Sequence, residues 1–199
     1  MPVIQAKSAG LGQRPVSASE AEFCARVARM GLVKHPATTE AAMKALLREG
    51  ICTSAASRWL ALDPNAWEAR DQLLLEAYQR LEECPSPGTE WHGVRELLDD
   101  DVLASLLDIS TPSLRRYAKG ERQCPDLVAA RLHWLALVID QLEGSYNAYG
   151  IRRWFQRPRA GLGGQTPQER LKGDWDPSDD AIRPIFALAQ SARIGMVAS

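Results

Sequence analysis

The chain has 199 residues, 45% of them hydrophobic and 25% charged, with a net charge of −1. This is a globular composition, long enough for one medium domain or two small ones around a buried core, and it excludes an intrinsically disordered chain. The near-zero net charge by itself gives no sign of nucleic-acid binding, so local charge has to be read instead.

The first sixteen residues mix Gly, Pro, Gln, Ser and Lys with little periodicity and predict a loose tail. They lack a basic-then-apolar leader, and every later apolar run is broken by charge well short of a bilayer span, so the sequence predicts a cytoplasmic protein without a membrane helix. Residues 17–84 read as an N-terminal helical region. Ser17 with Glu20 forms a capping-box pattern ahead of Phe23, Val27 and Met30, and Gly31 stops the run. A second helix is predicted over Thr39 to Arg48, with Gly50 beyond it. Thr53 or Ser54 is positioned to cap a third helix carrying Trp59 and Leu60. Asp63-Pro64 reads as a cap followed by a first-turn proline, opening a helix that presents Trp67, Leu74, Tyr78 and Leu81.

The Pro/Ser/Gly cluster at 85–89 is the clearest linker in the chain. Beyond it, helices are predicted over Glu90 to Leu98, Asp101 to Leu107, Thr111 to Lys119, Pro125 to Glu143, Tyr149 to Gln156, Pro167 to Lys172 and Pro177 to Arg193. Thr166 with Glu169 makes a second capping box, and Asp176-Pro177 repeats the cap-then-proline device. No segment alternates with period two, so the fold class is all-α: a helical bundle.

Cys24, Cys52, Cys84 and Cys124 lie far apart with no CxxC pair and read as reduced thiols. His35, His92 and His133 are equally scattered. No metal site, no cofactor and no catalytic constellation is predicted, which argues against an enzyme.

The segment from Val102 to Gly120 carries the most information. Leu103 and Leu107 face inward on a first short helix, with small Ala104 where a second helix would cross. Asp108-Ile109-Ser110 makes a tight turn in which Ile109 plugs the gap, and Asp tolerates the left-handed backbone such a turn needs. Leu114 and Tyr117 then fall on the inner face of the second helix, leaving Ser113, Arg115 and Arg116 outside. This is a helix-turn-helix pattern, whose second helix enters the major groove of double-stranded DNA. Arg116 and Ser113 are the expected base contacts, with Arg115 beside them; Thr111, Lys119 and Arg122 are placed for phosphates, and Thr111 could cap the helix as well. Helix-turn-helix proteins usually read two half-sites, which predicts a homodimer.

From Arg152 to Lys172 there are six basic residues and one acid. Trp154-Phe155 is followed by Ala160-Gly-Leu-Gly-Gly-Gln-Thr-Pro-Gln-Glu-Arg-Leu171. Together with the helix-turn-helix and the long helix after it, this stretch makes residues 101–193 resemble antitoxins of the Xre/MbcA/ParS type, which neutralise RES-domain toxins. The resemblance implies an Xre-like region over 90–146, a toxin-binding region over 147–199, repression of the protein's own operon, and a C-terminal region that plugs an NAD-consuming toxin. Residue by residue, Trp154, Phe155, Leu162, Pro167 and Leu171 read as packing anchors. Toxin contact is therefore expected from the more exposed Arg157, Arg159, Gln165, Arg170 and Trp175. Truncation after Gly150 is expected to leave DNA contacts possible while abolishing neutralisation. The alternative is a helix-turn-helix transcriptional regulator whose C-terminal helices only dimerise, with no toxin partner.

Overall fold

Eleven α-helices and one 3-10 turn make up the regular structure of the computed structural model, which describes residues 17–34, 36–143 and 145–197. Among these residues there is no strand, so the fold is all-α. The predicted tail over 1–16 lies outside the described residues, as does His35.

Helix α1 (Ala18–Arg29) begins at Ser17 with both halves of the predicted capping box: the Glu20 amide donates to Ser17 Oγ, and the Ser17 amide donates to Glu20 Oε2. Gly31 follows in the left-handed region that glycine adopts without a Cβ penalty. Helix α2 (Thr39–Arg48) has the predicted bounds and is capped by Thr38. Two expected starts are corrected. Neither Thr53 nor Ser54 caps α3 (Thr53–Ala61); both are already helical, and Cys52 precedes them in a left-handed conformation with no side-chain cap. Asp63-Pro64 forms a tight turn in which Asp63 Oδ1 accepts from the Asn65 amide at 2.8 Å, and α4 (Trp67–Glu83) starts only after it. Phe23, Val27, Met43, Leu46, Trp59, Leu74 and Leu81 close the first apolar core, while Trp67 stays 44% exposed.

The 85–89 stretch is not wholly a loop. Pro87 sits in the first turn of α5 (Pro87–Leu97), where its missing N–H costs nothing. Glu90 is buried against α1: Arg26 donates to its Oε1 at 3.2 Å and pairs with Asp140 at 3.1 Å, so one arginine of the N-terminal half is matched to two carboxylates of the rest away from water. His133 completes the cluster. Its Nε2 lies 2.7 Å from the Glu82 carbonyl, which can only accept, and its Nδ1 lies 2.6 Å from Glu90 Oε1. The Glu90 carboxylate already accepts from Arg26 and from the Ser86 amide, so this pair of acceptors favours the doubly protonated ring, the imidazolium form of His133. Burial alone would push its pKa down; Glu90 and the Glu82 carbonyl outweigh burial and raise it. At Gly93, α5 crosses the end of α1 so closely that a methyl group there would sit 1.7 Å from the Arg29 carbonyl oxygen.

The second core is built by α5, α6 (Asp100–Leu107), α7 (Thr111–Ala118), α8 (Asp126–Glu143), α9 (Ala148–Gln156), the 3-10 turn Ala160–Leu162, α10 (Pro167–Arg170) and α11 (Arg183–Val197). Helix α8 is its axis, with α5 and α11 packed against it. The α11 start is later than Asp176-Pro177 suggests. Asp176 Oδ1 accepts from both the amide and the hydroxyl of Ser178, closing a separate turn. Among the described residues, no helix is long and apolar enough to cross a membrane.

Candidate nucleic-acid interface

Helices α6 and α7 meet at a three-residue turn. Leu103, Ala104, Leu106 and Leu107 are buried on α6, Leu114 and Tyr117 on α7, and Ile109 packs half-buried between them. Asp108 takes φ 55 at the turn, the left-handed conformation usually given to glycine. Ser110, not Thr111, caps α7: its hydroxyl accepts from the Ser113 amide and donates to Ser113 Oγ at 2.9 Å. Pro112 follows in the first turn, so the helix start is fixed twice over.

The packing leaves one face of α7 outside. Arg115 and Arg116 are exposed there, Ser113 is half-buried, and Lys119 and Arg122 lie exposed beyond the helix end. Their partners differ. Arg115 Nε donates to Asp100 Oδ2 at 2.9 Å, and Thr111 Oγ1 donates to Asp101 Oδ1 at 2.9 Å. Lys119 lies 3.6 Å from Glu121, and the Arg122 guanidinium stands over the Tyr117 ring. Arg116 is the one cation of this group with no side-chain partner among the described residues. The α6 carboxylates are the part sequence reasoning did not place. Their acidity is plain in the sequence, but the approach of the α6 N-terminus to the α7 surface comes from the helix crossing. Hydrogen bonds from Arg95 and then Arg115 hold the Asp100 carboxyl below its ordinary pKa.

The glycine-containing segment after α9 forms a closed loop. The Arg159 amide donates to the Gln165 carbonyl, and the Gly164 amide to the Arg159 carbonyl, each at 3.0 Å. Gly163 and Gly164 adopt positive φ, while Gly161 lies against Leu188 of α11. Trp154, Phe155, Leu162, Pro167 and Leu171 are all buried, and Thr166 with Glu169 forms the predicted capping box.

Among the five residues expected to face a toxin, Arg157 and Gln165 are exposed. Arg170 is exposed but tied down, donating to Gln165 Oε1 and to the Ala181 carbonyl. Arg159 is half-buried with its guanidinium over Trp154. Trp175 is a correction: it is 4% exposed, and its indole N–H donates to the Leu106 carbonyl at 3.1 Å. Its ring meets Trp134 edge-on and lies beneath Arg131, which donates to the carbonyls of Leu107 and Trp175. The C-terminal segment is thereby fastened to the last turn of α6, where carbonyls lack helical partners.

No group of His, Cys, Asp and Glu able to hold a metal ion occurs among the described residues, and all four cysteines are free. No family model matches the chain, and neither the curated proteins nor the solved structures contain a significant match to it.

Proposed function

We propose that this chain is a DNA-binding antitoxin: α6 and α7 act as a helix-turn-helix on operator DNA, and the surface around Arg157, Arg159, Gln165 and Arg170 binds a RES-domain toxin. The orientation of α7 carries the DNA part of the reading. Its apolar side is consumed by the core, and its outer face offers an unpaired Arg116 beside Ser113, with Lys119 and Arg122 placed for flanking phosphates. Arg116→Ala is expected to weaken operator binding by about 1–3 kcal/mol and to relax base preference, as loss of a bidentate guanine contact does. Unchanged affinity and unchanged preference in a mobility-shift titration would remove Arg116 from the interface.

The toxin part rests on the Trp154-to-Leu171 motif. Co-expression with a RES-domain toxin tests it: a co-purifying complex and restored growth are expected. The rival regulator without a toxin partner is favoured by one observation, that the hydrophobic motif residues are explained by their burial alone. Operator binding without any toxin complex would decide for that rival.

A further inference from the structure

The face of α7 that would meet DNA is partly occupied by the protein's own carboxylates. Asp100 accepts from Arg95 Nε at 2.8 Å, from Arg95 Nη2 at 3.3 Å and from Arg115 Nε at 2.9 Å, so it ties α5, α6 and α7 together with only a fifth of its side chain exposed. Arg115 is 59% exposed, so the pair lies at the rim, where a phosphate can reach the guanidinium but must compete for it. Asp101 holds Thr111 in the same way. Asp99, 3.9 Å from Arg152, adds a third carboxylate at this end. An incoming phosphate would have to displace Asp100, which Arg95 holds in place, and pass close to Asp99 and Asp101 before it gained Arg115.

We propose that Asp100 is an intramolecular competitor for Arg115, which keeps this arginine off the DNA backbone and sets how tightly and how selectively the helix-turn-helix binds. Nonspecific affinity comes from phosphate contacts, whereas base contacts specify sequence. Withholding Arg115 lowers affinity for arbitrary duplex and leaves recognition to Arg116 and Ser113. The inference rests on the DNA reading above and goes beyond it: Arg115, the first arginine of the Arg115-Arg116 pair, is silent in the native protein.

A mutant cycle on the full chain tests it, using fluorescence anisotropy of a labelled mixed-sequence duplex titrated at several salt concentrations. Asp100→Asn is expected to tighten binding by roughly threefold to tenfold and to steepen the salt slope by about one phosphate contact. Arg115→Ala alone is expected to change binding by less than about twofold, whereas in the Asp100→Asn background it should cancel the gain. Weaker binding by Asp100→Asn, or a large loss from Arg115→Ala in the native background, would overturn the proposal, because Asp100 would then be orienting Arg115 toward DNA. If Asp100→Asn does not fold, Arg115→Ala alone still decides. Binding by the native chain that ignores Asp100→Asn sinks only this inference; absence of binding by the native chain and by Asp100→Asn alike sinks the DNA reading and the inference together.

Discussion

Gly93 offers the sharpest test of how the two halves are joined. In a helix interior Gly→Ala ordinarily gains about 1 kcal/mol through backbone propensity. Here the added methyl would lie 1.7 Å from the Arg29 carbonyl oxygen and 2.7 Å from its carbon, and both are backbone atoms that cannot rotate away. Contact distance can be restored only if α1 and α5 part by well over an ångström. That displacement reaches the Arg26–Glu90 and Arg26–Asp140 pairs, which are held at 3.2 and 3.1 Å with almost no access to water. Overpacking costs typically about 1–3 kcal/mol, and exposing or breaking a buried pair about 3–5 kcal/mol. The steric and electrostatic losses therefore exceed the propensity gain, and Gly93→Ala is expected to lose about 3 kcal/mol or more of stability. Urea unfolding followed by circular dichroism measures this. Gly88→Ala, in the first turn of the same helix with nothing within 4 Å, is the control and should be neutral or slightly stabilising. A Gly93→Ala midpoint equal to that of Gly88→Ala would refute so close a crossing of α1 and α5.

His133 supplies a pH signature. Its folded pKa is raised above the ordinary value of 6.5, so its stabilisation is complete below that value and is lost as pH climbs through the folded pKa. The urea midpoint should fall over that rise in pH, and His133→Gln should flatten the trend; a midpoint that rises instead would show that the ring is not held as an imidazolium. Trp175→Phe keeps most of the ring contact with Trp134 but removes the donor to the Leu106 carbonyl, and should cost about 1–3 kcal/mol; a thermal midpoint equal to the native one would mean that this bond contributes nothing. Truncation after Gly150 is expected to abolish cooperative unfolding, against the expectation of a separable C-terminal region, because Ile151, Trp154, Phe155, Leu171 and Trp175 belong to the core that holds α6 and α7; a truncated chain that melts cooperatively and binds DNA would reverse this conclusion.

The helices were legible wherever a local signal sets a boundary. Ser17 and Thr166 act within one turn of their own amides, so the capping boxes could be read directly. Asp63 and Asp176 carry the same signal, yet each uses its carboxylate on the amide two residues on, closing a turn ahead of the helix. Pattern alone does not separate these two uses of Asp-Pro. The inward residues of α6 and α7 followed from spacing, because Leu103, Leu107, Leu114 and Tyr117 are apolar at helical intervals. What α7 touches outside its own core did not follow. Arg115 meets Asp100 fifteen positions away, and Glu90 meets Arg26 across sixty-four, distances over which composition carries no register.

Trp175 shows why the same limit matters for function. A tryptophan among charged and turn-forming residues reads as an exposed anchor for another protein. In the fold its indole and the Arg131 guanidinium satisfy carbonyls at the end of α6, next to the turn that aims α7. The hydrophobic residues after α9 are thus scaffold for α6 and α7, and under the proposed antitoxin reading a toxin would be recognised by what the scaffold leaves outside. Arg157 is exposed and offers itself for that, whereas Gln165 and Arg170 are bonded to each other and Arg170 also to the Ala181 carbonyl. Charge reversal at Arg157 with the core untouched therefore separates recognition from folding in a way that deletion of the region does not.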